Sequence, residues 1–141
     1  MKYIYISRFQ EYTQYPFFRE DTLYVYTEKY NEFGEIRHIN ISNKKMHEKE
    51  VVIVKPKKFL LDEYHNTKNY IYCVYLNNLS HEILVYNYSG EKIRTIKFQD
   101  KGIIYVSGSY LSDDIYIFKS FTVFYDKKII YRGIIYNNDI F

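Results

Sequence analysis

Four histidines, His38, His47, His65 and His81, are the side chains here that titrate nearest neutral pH and that most readily bind divalent metals. Their spacing does not suit that work. No two stand at the short paired intervals that zinc sites use, so no metal ligand is assigned. Two adjacent carboxylate pairs, Asp62-Glu63 and Asp113-Asp114, have the chemistry of a general acid and base. Neighbours on a strand point to opposite faces, so neither pair converges on one bond. Asp113-Asp114 reads as a solvated turn. Cys73 lies in an apolar run, where a free thiol behaves as a small hydrophobe. A reactive thiolate needs exposure and a cationic neighbour, and one cysteine excludes a disulfide framework or thiolate cluster. The strained G-x-S-x-G turn that presents a nucleophilic serine is absent, Gly108-Ser109-Tyr110 supplying only its first half. No glycine-rich phosphate loop occurs. The sequence therefore assigns no catalytic, cofactor-binding or metal-ligating residue, and no cofactor.

Stacking is the other chemistry on offer. The chain holds 19 Tyr and 10 Phe, and aromatics make up 21% of it. Many alternate with Lys or Arg, as on sheet faces that stack bases beside a basic groove. Two features point elsewhere. The aromatics spread through almost every apolar run, and 20 basic against 17 acidic residues leave a net charge of only +3. That is too mild to announce a phosphate backbone or a membrane surface. The aromatics are assigned to packing, and neither nucleic acid nor membrane is an expected partner. The alternative, of another class, is a self-sufficient small β protein that binds a protein partner or single-stranded nucleic acid through aromatic sheet faces.

The elements that hold these residues follow from composition and spacing. A length of 141 residues fits one domain or a piece of one, and 47% hydrophobic residues support a packed core over disorder. With 5 Gly and 2 Pro, collagen-like and Pro-rich readings fall away. Met1–Arg8 lacks the apolar segment of a signal peptide, and no run approaches the roughly 20 apolar residues of a membrane helix. The expectation is a cytoplasmic protein without disulfides, in which the sequons at Asn40, Asn78 and Asn87 carry no glycan.

Ile, Val, Tyr, Phe and Thr dominate, and these residues suit a pleated, half-buried surface. Strand-like runs bounded by turn residues cover Thr22–Thr27, Glu35–Ile41, Glu50–Val54, Asn69–Leu76, Glu82–Tyr88, Lys92–Phe98, Ile103–Gly108, Asp114–Ser120 and Lys128–Ile135. No apolar stripe of helical period persists, and only Lys44–Glu50 suits a single helical turn. Asn69–Leu76 is apolar on both faces, which predicts a strand between two packed layers. Lys92–Phe98 mixes Lys92, Arg94 and Lys97 with Ile93, Ile96 and Phe98, as an outer strand with one wet side does. Asn77–Ser80 and Ser89-Gly90 are short, turn-forming connections that predict antiparallel hairpins.

The pattern repeats. Thr22–Thr27, Asn69–Leu76 and Asp114–Ser120 recur at about 45–47 residues, and the runs beginning at Glu35, Glu82 and Lys128 keep the same interval. Four short strands per 40–50 residues is the signature of propeller blades. The prediction is an all-β partial β-propeller of about three four-stranded antiparallel blades, over 10–54, 57–98 and 102–141.

At this level a family resemblance enters. Tyr72–Asn87, Ser89–Arg94, Gly102–Gly108, Ser112–Phe118, Ser120-Phe121-Thr122 and Ile130-Tyr131 stand in the same order as a segment of the prolyl oligopeptidase propeller. Upstream, Asp21–Thr27 with Gly34–Ile41 resembles the preceding blade, and Phe59–Glu63 falls where that family enters the next. The chain departs where the family's proline after Ser120-Phe121-Thr122 is missing and Val123–Lys128 runs about two residues longer. The resemblance implies a seven-bladed propeller capping an α/β-hydrolase domain in a cytosolic serine peptidase of short proline-containing peptides, with the propeller filtering substrates by size. The family's triad sits on the hydrolase domain, so no residue here inherits a catalytic role. The chain resembles the last three blades, and the expectation is a partial or split product that is not an enzyme on its own. Neither end carries a polar cap. Expected partners are therefore a hydrolase-domain chain or further propeller blades, with self-association through exposed blade faces.

Overall fold

The computed structural model describes residues 14–41, 51–55, 57–77, 80–98, 102–125 and 128–137. Eleven strands run through them: β1 Gln14–Arg19, β2 Thr22–Thr27, β3 Glu35–Asn40, β4 Val51–Val54, β5 Leu60–Asn66, β6 Tyr70–Asn77, β7 Ser80–Asn87, β8 Lys92–Lys97, β9 Ile103–Gly108, β10 Ile115–Tyr125 and β11 Lys128–Asn137. All pairings are antiparallel. The sheets order as β1-β2-β3-β4, β5-β6-β7-β8 and β9-β10-β11. The fold is all-β, as expected. The third sheet has three strands among the described residues where four were predicted.

Strands that the alternation did not reveal are the first of their sheets. β1 carries Pro16, which cannot donate to a ladder and is tolerated here because β1 is an edge. β5 reads Leu-Leu-Asp-Glu-Tyr-His-Asn, and its register shifts between Leu61 and Glu63, so a bulge breaks the period of two. The hairpin of β10 and β11 pairs without a slip from Tyr116↔Asn137 to Tyr125↔Lys128, so extra length there went into strand. The helical turn expected at Lys44–Glu50 lies outside the described residues.

The chain divides into two compact units, residues 1–58 and 59–141. The first holds the sheet β1–β4, with Leu23, Val25, Ile36, Ile39 and Val54 buried. Phe17 stacks on Tyr24 with centroids 4.8 Å apart. Gly34 turns the chain between β2 and β3 at φ +79°, and an added Cβ would meet the Tyr26 ring at 2.5 Å.

The second unit packs one sheet on another. Tyr72 and Val74 of β6 with Ile83 and Val85 of β7 meet Ile104 and Val106 of β9 and Ile115 and Ile117 of β10. β6 has five consecutive buried residues, Ile71 to Tyr75, so both its faces are covered, as its doubly apolar sequence predicts. β8 is an edge strand of mixed burial, also as predicted.

Candidate interaction site

The seam between the two sheets of the second unit is apolar in the middle and polar at both ends. At one end lies the turn before β10. The Asp113 carboxylate accepts from Thr67 Oγ1 at 2.9 Å, from the Asn69 backbone N–H at 2.8 Å and from Asn69 Nδ2 at 2.6 Å. The Lys68 N–H donates to the Ser112 carbonyl at 3.0 Å. Burial pushes the Asp113 carboxyl up, but the Asn69 and Thr67 hydrogen bonds and the Lys68 charge outweigh it and hold it below the usual range. This corrects the reading of Asp113-Asp114 as a solvated turn. Asp114 is exposed and accepts from its neighbour Ser112 Oγ at 2.9 Å, while Asp113 fastens one sheet to the next.

The other end is built around His81, a buried residue near the start of β7. Its ring reaches the Gly102 carbonyl through Nδ1 at 3.0 Å and Asp62 Oδ2 through Nε2 at 3.3 Å. Asp62 is the residue at the β5 bulge, and the bulge aims its side chain out of the regular alternation. Beside it, burial and the Asp62 charge push the Glu63 carboxyl up, while His81 and the Val106 N–H pull the other way. Gly102 has no room for a side chain, since an added Cβ would lie 2.7 Å from the Ser120 carbonyl oxygen.

The third sheet presents a different surface on its far side. Asn66↔Ile71 and Gly108↔Ile115 close equivalent hairpins, so Tyr116 corresponds to Tyr72 and Phe118 to Val74. In the second sheet these positions pack on the third. In the third they are open: Tyr116 is 55% exposed and Phe118 39%, with Ile103 and Tyr105 each at 52% beside them. Tyr105 stacks on Phe118 with centroids 6.4 Å apart. On β9 and β10 the other positions of this face with described side chains, Ser107 and Ser120, are neutral. Among the residues with described side chains the face therefore offers apolar and neutral groups and no cation for a phosphate backbone.

The other candidates are dispersed. His38 packs edge-on against Tyr24 at 5.8 Å, and burial lowers its pKa. His65 faces the close approach of Gly108, and His47 lies outside the described residues. Among the described residues no three His, Cys, Asp or Glu side chains gather to hold a metal. Cys73 is buried, on the face of β6 that also carries Tyr75, and the nearby Tyr86 hydroxyl is pushed up to about 12 by burial. Asp113 and His81 were missed as fasteners because their partners stand 44 to 46 and 19 to 21 residues away. No local spacing signals such a pair.

Comparison with known proteins agrees with this architecture. The family model described as "Prolyl oligopeptidase, N-terminal beta-propeller domain" matches residues 5–134. A structure reported in an analysis of two prolyl endopeptidases superposes with a TM-score of 0.69 at 15% identity, over 89% of this chain and 20% of that one. The apo form of prolyl oligopeptidase B from Galerina marginata gives 0.69 at 14% identity, over 77% of this chain and 15% of that one. The same enzyme bound to a 35-residue substrate gives 0.68 with the same identity and coverage. The chain thus spans a fifth or less of the proteins it resembles. No curated protein matches it in sequence.

Proposed function

The chain belongs to the family of prolyl oligopeptidase N-terminal β-propeller domains, and from that premise we propose that it serves as a non-catalytic propeller segment of a cytoplasmic serine peptidase. In this reading it helps to admit short proline-containing peptides and to hold larger chains away from a hydrolase domain. The observation that carries it is the far face of the third sheet. Positions that pack on a neighbouring sheet one repeat earlier carry Tyr116 and Phe118 in the open. A face built that way takes another propeller sheet, or in isolation a second copy of itself.

The test uses a fluorogenic prolyl peptide and the hydrolase domain of a prolyl oligopeptidase. The chain alone leaves the peptide intact. Added to the hydrolase domain, it suppresses cleavage of long substrates more than of short ones. Cleavage by the chain alone, or no change in length selectivity, overturns the reading. Light scattering supplies a physical check: the parent chain associates with concentration, and the double variant Tyr105→Lys, Phe118→Lys does not.

A further inference from the structure

His81 sits between two acceptors, and a neutral imidazole has one N–H to give. The Gly102 carbonyl faces Nδ1 at 3.0 Å and the Asp62 carboxylate faces Nε2 at 3.3 Å, so both bonds form together only when the ring is charged. The two acceptors are not equal. Gly102 is backbone, fixed just before β9 by close approach to Ser120. The Asp62 side chain is 47% exposed and can turn to water.

We propose that His81 is a proton-operated latch on the seam between the second and third sheets. Charged, its ring ties β5 and the segment entering β9 to the start of β7. Neutral, it keeps the proton on Nδ1 for Gly102 and releases Asp62. The other charged groups around it are Glu63, on the same strand as Asp62, and Lys119 of β10, whose stem lies against Gly102. The second bond is present while both His81 and Asp62 are charged, and it is lost as the ring deprotonates.

Nitrogen NMR of the ring in the full chain tests this directly. At acid pH both ring nitrogens of His81 carry protons. At about pH 9 the neutral ring is the Nδ1–H tautomer, not the Nε2–H form usual for free histidine. A neutral Nε2–H ring overturns the latch, because Nδ1 could then not donate to Gly102. A second measurement compares the parent with Asp62→Asn. The variant melts about 2–4 °C lower at about pH 6, and at about pH 9 the gap closes or reverses, because the substitution also relieves the repulsion between Asp62 and Glu63. An equal gap at both pH values would show a role for Asp62 that is independent of the proton, and would also overturn the proposal. Neither readout depends on peptidase gating, so the two readings fail separately.

Discussion

β6 and β10 occupy the same place in successive sheets and bury their residues differently. In β6, five residues in a row are covered. In β10, Ile115 and Ile117 are buried while Tyr116 and Phe118 between and after them are open. Both strands are rich in Ile, Val, Tyr and Phe, so intrinsic strand preference does not separate them. What separates them is whether each face is covered. β6 is covered on both faces, and β10 has a covered face towards the second sheet and an open one beyond. Burial here is a property of the neighbourhood, and the docking role proposed for the aromatic face follows from its being open.

The contrast breaks or sharpens under substitution. The largest effect is expected from adjacent changes on β10. Ile117→Asp strands a carboxylate in the seam and costs about 4 kcal/mol or more, whereas Phe118→Asp costs less than about 1 kcal/mol. Circular dichroism during heating measures both. Similar losses at the two sites would mean that β10 is covered on both faces after all. Next, Val74→Ala costs about 2 kcal/mol although it removes fewer atoms than Phe118→Ala, which costs under about 1 kcal/mol in the isolated chain. Reversal of that order in denaturant titrations would break the equivalence of the two positions.

Smaller effects come from the seam's carboxylates. Asp113→Ala costs about 1–2 kcal/mol at neutral pH, its exposure moderating the loss. The folded carboxyl sits below its ordinary range, so its contribution is present above that range and fades as acid protonates it. Parent and variant therefore converge in acid. Glu63 has the opposite sign. Its folded carboxyl is raised, so the charged form is a burden at neutral pH and protonation relieves it. Glu63→Gln is expected to stabilise by less than about 1 kcal/mol at neutral pH, with the gain vanishing in acid. A pH series of melting curves that moved both variants the same way would contradict the assigned causes.

Much of this was legible in the chain. The doubly apolar run Tyr70–Leu76 announced a strand between layers because two layers need two apolar faces, and the basic residues of Lys92–Lys97 announced an edge. β1 and β5 were hidden, one by a proline and the other by a bulge with a polar face, since both features erase alternation. Asp113 was misread because a carboxylate in a turn looks solvated until the partner turn, 44 residues earlier, is brought beside it.

By itself the sequence determined that strands recur at a nearly constant interval, because apolar periodicity and turn residues act locally. It left the register uncertain by a residue: the run starts suggest 45 between the second and third units, and the hairpin pairs give 44. A slip of one exchanges the faces of a strand, so only hydrogen-bonded pairing decided that Ile117 turns inward and Phe118 outward. The partners of Asp113 and His81 were likewise settled by the packing of one sheet on another, which brings polar groups distant in sequence within bonding distance.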